Sequence, residues 1–254
     1  MTGGPLLARL RRRLAAAGDP AVAEGARAYM KSAMPYHGVS AVPMRAIFRE
    51  EFSDLDFSSA SRWRSTVLFL WRHARFREER YAAIEFSGDR RAAALQTLAA
   101  LPMYEEMIVT GAWWDYVDTL AKHRLGPLLR KYSAPMRRTM LAWSRSKDVW
   151  KRRSAILCQL GFKEDTDLRL LYACIAPALS SPEFFLRKAI GWALREYAWT
   201  DASAVRRYVR THVGELSPLS RREALKNAGA TSPRGRSSRR PSRAQRGLPR
   251  SSSR

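Results

Sequence analysis

STVLFL, residues 65–70, is the stretch on which the fold class turns. By composition these six residues fit a buried strand. One turn further out on either side, the apolar positions become Trp63, Val67, Leu68 and Trp71. That spacing of three and four lays a single stripe along a helix. The helical reading takes in more of the chain, and the same period continues in both directions. It predicts helices over 4–17, 20–32, 41–52, 58–74, 76–87, 90–98, 102–110, 113–122, 125–131, 134–145, 148–160, 165–178, 182–197, 202–211 and 217–227. Asp19-Pro20, Ser53-Asp54, Gly88-Asp89, Gly161 and Ser181-Pro182 fall between these runs, where helix starts and stops belong. No stretch sustains the alternation of a half-buried strand.

Many short helices in succession predict an all-α fold. An α-solenoid of HEAT-like helical repeats suits it, with pairs recurring every ~35–45 residues from 102 onward. An irregular bundle is the alternative. A solenoid presents a concave face, and a basic concave face can cup a duplex.

Charge is the loudest bulk property. The chain of 254 residues carries a formal +23, and 46% of its residues are hydrophobic, enough for a sizeable core. Residues 229–254 hold eight arginines and no acid, which leaves +15 on residues 1–228. Such a balance favours a polyanion, nucleic acid first, over a merely basic soluble surface. Residues 1–228 read as one folded domain. The Ser/Arg/Pro-rich tail 229–254 lacks a core pattern. It is expected to be disordered and to add salt-sensitive affinity for polyanions, or else to be an idle appendage.

No apolar run approaches the ~18 residues of a membrane span. The first twenty residues read as an amphipathic helix and not a signal peptide, so no membrane partner and a cytoplasmic location are expected. Cys158 and Cys174 lie in apolar helical patterns and read as buried thiols. The four histidines are scattered, and no metal site or cofactor is suggested.

Three segments could carry chemistry. In GAWWDYVDTL (111–120), Trp114 and Asp118 are one helical turn apart and share a face. Trp113, Val117, Leu120 and Ala121 form a separate core stripe. Trp114 is either a second core residue, with Asp118 paired to a nearby arginine, or half of an exposed aromatic–carboxylate site. In EFFLRKAIGWALREYAW (183–199), Leu186, Ala189, Ile190, Ala193 and Tyr197 make the core stripe. Phe184, Lys188, Trp192 and Arg195 form another face that mixes aromatics with cations, a pattern suited to sugar, base and phosphate and also common on plain surface helices. In DVWKRRSAILCQLGF (148–162), Asp148 can start the helix. Arg153 sits at the edge of an apolar stripe, where it either snorkels or clamps a phosphate. A cationic base is attracted to an aromatic face and a carboxylate. Cleavage of its N-glycosidic bond develops oxocarbenium charge that a fixed aspartate can stabilise.

With these residues in hand, the chain resembles the AlkD-like DNA alkylation repair glycosylases over roughly residues 20–228. The likeness runs through ARAYMKSAMPYHGV (26–39), LFLWRHARFREERYAAIEF (68–86), GAWWDYVDTLA (111–121), DVWKRRSAILCQLGF, EFFLRKAIGWALREYAW and LSPLSRREALKN (216–227). It implies a HEAT-repeat solenoid gripping duplex DNA and excision of cationic N3- or N7-alkylated purines. It implies that Asp118 is the catalytic carboxylate and that Trp114 and Trp192 flank the lesion nucleotide. Arg153 would support the backbone near the lesion. Tyr29, Phe184 and Phe185 match positions near the DNA or supporting the site. The base would not be flipped into a pocket, unlike the usual glycosylase. No catalytic lysine is implied, so a monofunctional, monomeric enzyme is expected. The loop SAVPMR (40–45) lacks the polar pair expected beside the DNA backbone, although Arg45 remains. A non-catalytic repeat protein that binds damaged or branched DNA is the alternative.

Overall fold

The computed structural model describes residues 3–229, and these fold into fourteen α-helices with no strand among them. They are α1 (Gly3–Ala16), α2 (Pro20–Met30), α3 (Ala41–Phe52), α4 (Ala60–Arg72), α5 (Arg77–Ser87), α6 (Leu101–Gly111), α7 (Trp114–Leu120), α8 (Gly126–Lys131), α9 (Ser133–Ser144), α10 (Val149–Leu157), α11 (Leu168–Ile175), α12 (Phe184–Tyr197), α13 (Ala202–Thr211) and α14 (Pro218–Leu225). The expectation for the tail lies outside the described residues, apart from its first residue, Gly229. Among the described residues, no helix is long and apolar enough to cross a membrane.

Residues 65–70 lie inside α4. Trp63, Val67, Leu70 and Trp71 are buried there, while Leu68 is only partly so. Packing is local along the chain. Helix α1 rests on α3, α4 and α5, α6 on α4, α7 on α5 and α6, α10 on α7, α9 and α12, and α12 on α14. Helices that contact mainly their near neighbours in sequence make a helical-repeat solenoid. The apolar core divides in two at α10. Ala155 faces the larger cluster, which begins at α1, and Ile156 and Leu157 face the one that runs on to α14. Cys158 and Cys174 are buried free thiols.

The structure departs from the sequence reading in three places, each for a local reason. The predicted helix 90–98 is two 3₁₀ turns, Arg90–Leu95 and Leu98–Ala100, because only Ala92 and Ala100 are buried and no apolar stripe holds a longer helix. Helix α11 begins after Asp167, whose carboxylate accepts from the Leu170 N–H. The helices predicted over 113–122 and 125–131 are one continuous run joined by a π turn at Ala121–Leu125. Pro127 has no N–H for the His123 carbonyl. Arg124 Nη1 donates to that oxygen instead, at 3.0 Å.

Helices α12 and α14 approach closely at Gly191. A Cβ there would lie 2.5 Å from Glu223 Cβ and 3.1 Å from the Ser220 carbonyl. Ser220 Oγ donates to the Arg187 carbonyl beside it. Gly191→Ala is therefore expected to destabilise by about 1–3 kcal/mol through overpacking, against the helix-propensity gain of about 1 kcal/mol. Urea unfolding measures the balance, and a net gain in stability would contradict the close approach.

Two buried acids of α5 hold the N-terminal segments. Glu78 accepts the backbone N–H groups of His37, Gly38 and Val39. Burial pushes the neighbouring Glu79 carboxyl up, but Arg11, His37 and the Arg75 N–H outweigh it and hold the pKa at about 2. A folded-state pKa below the unfolded value means that the ionised form stabilises the fold. That contribution is complete above the ordinary value of 4.5 and is lost as pH falls toward 2. Glu79→Gln is expected to lower the urea midpoint at neutral pH and to flatten its slope between about pH 5 and 3. A midpoint that matches wild type at both ends contradicts this.

Candidate active site

The turn before α7 sets the site. Ala112 closes α6 in the left-handed region (φ 45), Trp113 is extended (φ −150), and the helix starts at Trp114. The two tryptophans therefore leave the turn in different directions. Trp113 packs against the larger core cluster, and its ring lies 6.2 Å from Trp150 and 5.5 Å from Phe185. Trp150 and Phe185 are 4.9 Å apart, which completes an aromatic trio from the turn, α10 and α12. Trp114 is half-buried and begins the helical turn that ends at Asp118.

Asp148 caps α10 by accepting from the Trp150 and Lys151 N–H groups. The cap fixes the start of the helix that carries Arg153. Arg153 is 4% exposed, so it does not snorkel. Its Nε and Nη2 donate to the two Asp118 oxygens, both at 2.7 Å, and its Nη1 donates to the Phe185 carbonyl at 2.5 Å. One guanidinium thus joins α7, α10 and the start of α12. Of the two readings open for Asp118, the paired-arginine part is what the structure shows, and that arginine is another candidate site residue. Burial pushes the Asp118 carboxyl up, Arg153 pulls it down, and the charge of Asp115 adds to the upward push; the net direction is above the ordinary carboxylate value.

The other candidates fall into four groups. Trp192 is half-buried and packs against the second core cluster. Phe184 is exposed beside Phe185, their rings 5.5 Å apart, so the first faces solvent and the second packs inward. Tyr29 on α2 is 77% exposed and Arg45 on α3 is exposed. Lys188 and Arg195 carry an acid partner that the sequence reading did not foresee. Glu223 of α14 lies 2.6 Å from Arg195 and 3.5 Å from Lys188, and Lys226 joins the same carboxylate. The two cations read as a nucleic-acid face therefore belong to the α12–α14 joint, and any DNA contact by them competes with Glu223.

A cavity of about 470 Å³ opens between α10, α11 and α12, lined by residues that include Leu160, Leu171, Tyr197 and Trp199. None of the candidate residues lines it. Among the described residues, no group of three or more His, Cys, Asp or Glu could hold a metal. The sequence reading missed Asp115, Arg77 and Tyr81, which form a second polar cluster at the first turn of α7. The available signal was RFREER (75–80), which places charges where α5 turns to the core.

A family model described as DNA alkylation repair enzyme matches residues 10–228. A solved structure described as a predicted DNA alkylation repair enzyme from Enterococcus faecalis is similar, with a TM-score of 0.71 and 25% identity, covering 84% of this chain and 98% of that one. No curated protein matches the chain.

Proposed function

Because the chain belongs to the DNA alkylation repair enzyme family, we propose that it is a monofunctional glycosylase that hydrolyses the N-glycosidic bond of cationic N3- or N7-alkylated purines in duplex DNA. The observation that carries this reading is Asp118, a carboxylate held by both its oxygens one turn from Trp114. An alkylated purine already bears positive charge. Breaking its bond to the sugar leaves a neutral base and moves the charge to C1′, so no general acid is needed for the leaving group. What the reaction does need is a fixed negative group beside the sugar and an oriented water. Asp118 supplies the first and can accept a proton from the second. Trp114 and Trp192 flank the nucleotide and favour its cationic form over their ring faces. Arg153 supports the lesion site from beneath by keeping the carboxylate in place.

None of these residues lines the cavity between α10, α11 and α12, which suits contact through sugar and backbone without base flipping. The enzyme acts as a cytoplasmic monomer and leaves an abasic site. The +15 charge of residues 1–228 supplies affinity that falls steeply with added salt.

The Asp118–Arg153 bridge also favours a second reading, in which Asp118 is only structural and the protein is a DNA-binding module. Incubation with duplex DNA carrying one 7-methylguanine, followed by alkali, separates the two. Strand cleavage at the lesion only after alkali is expected. Cleavage before alkali would indicate lyase activity, and no cleavage despite binding would leave the module.

A further inference from the structure

We infer that Asp115 and Arg77 form a positioning pair that sets the rotation of α7, and with it the place of Trp114 and Asp118; the inference rests on the glycosylase reading.

Helix α7 has little of its own to fix where it starts. It is seven residues long and has no side-chain cap at Trp113. It follows a left-handed alanine. Asp115 supplies the missing constraint from its first turn. Arg77 Nη2 donates to both Asp115 oxygens at 2.7 Å, and Tyr81 Oη donates to one of them at 2.6 Å. Arg77 is itself held by several neighbours, although its buried Nε has no hydrogen-bond partner. It is 4% exposed, its N–H donates to the Pro35 carbonyl at 2.9 Å, and its guanidinium lies 4.2 Å from the centre of the Tyr116 ring. Its Nη1 donates to Ser32 Oγ at 3.3 Å, and Tyr36 Oη is 3.4 Å from Tyr81 Oη. The loop between α2 and α3, the start of α5 and the start of α7 thus converge on one carboxylate.

A buried ion pair is a poor way to gain stability, since apolar residues of equal volume commonly do as well. What it provides here is direction. Asp115 follows Trp114 and lies three residues before Asp118, so a rotation of α7 moves both. A carboxylate about 6 Å from the helix axis moves about 1 Å for a 10° rotation. A misplacement of that size costs up to about 10²-fold in rate when the group must meet a developing charge. The Asp118–Arg153 fork ties α7 to α10 against such a rotation, and the Asp115–Arg77 pair ties it to α5.

The test is single-turnover release of 7-methylguanine at saturating enzyme, per molecule competent to bind DNA, for Asp115→Asn, Arg77→Lys, Tyr81→Phe and the double variant Arg77→Met/Asp115→Asn. Asp115→Asn is expected to slow release about 10-fold or more with DNA affinity within about 2-fold of wild type. Arg77→Lys, which keeps the charge, should slow release less than Asp115→Asn, and the double variant should be no slower than Asp115→Asn, as for two groups acting as a unit. Tyr81→Phe, which removes only one hydroxyl, should slow release about 3-fold and speed amide exchange over Val117–Leu120. Saturating rates equal to wild type in both Asp115→Asn and Tyr81→Phe, with only the thermal midpoint lowered, would overturn the inference. If Asp115→Asn fails to fold, Tyr81→Phe decides. If wild type releases no base, the glycosylase reading fails, and amide exchange in Tyr81→Phe still judges the pair: faster exchange supports it and unchanged exchange overturns it.

Discussion

Asp118→Asn is expected to release 7-methylguanine from duplex DNA at least about 10²-fold more slowly than wild type, a loss of the size seen when one charge-stabilising group is removed. The substitution keeps the shape of the side chain and one acceptor for Arg153, but it removes the negative charge that the proposed mechanism sets beside the sugar. DNA affinity should stay within a few-fold, because Asp118 is a carboxylate and contributes nothing attractive to phosphate. Arg153 would keep its hydrogen bond to the Phe185 carbonyl and lose a full counter-charge, so some destabilisation should accompany the rate loss. The rate is therefore referred to the DNA-binding fraction. Full activity in Asp118→Asn would remove Asp118 from its assigned role and leave its contact with Arg153 as a structural bridge.

Arg153→Met should have the largest effect on stability. It removes two donors to Asp118 and one to the Phe185 carbonyl and leaves a carboxylate that is 12% exposed with no cation on it. Breaking a buried pair from one side costs about 3–5 kcal/mol, measurable in urea at neutral pH. The same change has a signature in pH. Burial is the main force that raises the Asp118 pKa, and Arg153 is the main force against it. Without Arg153 the pKa rises further, so the ionised form appears only at higher pH. The proposed mechanism requires that ionised form, so the acid limb of the rate profile should move upward in pH. Arg153→Lys retains charge without the fork and should fall between the two. An unchanged midpoint with an unmoved acid limb would contradict the coupling.

The helices were legible in the sequence because their signal is local. Trp63, Val67 and Trp71 announce their stripe within three turns, and the caps at Asp19, Asp148 and Ser217 lie next to the runs they start. The π turn was not legible, because it depends on how Pro127 and the Arg124 side chain settle the His123 carbonyl between them. Partners across the solenoid were also hidden. Periodicity says which face a residue occupies, and nothing about what faces it. Asp118 and Arg153 are 35 residues apart, and Arg77 and Asp115 are 38 apart. The acid partner of Arg195, Glu223, was hidden for the same reason, since it enters from a helix 28 residues further on. The division of labour between Trp113 and Trp114 was better marked, since a core stripe through Val117 and Leu120 can include only one of two adjacent tryptophans.

This chain is proposed to break a glycosidic bond. The direct measurement is the appearance of free 7-methylguanine from a lesion-bearing duplex under single-turnover conditions with the wild-type protein. One free base per lesion, with the strand left intact until alkali is added, is the predicted result. Tight, salt-sensitive binding of the same duplex with no base released would contradict it.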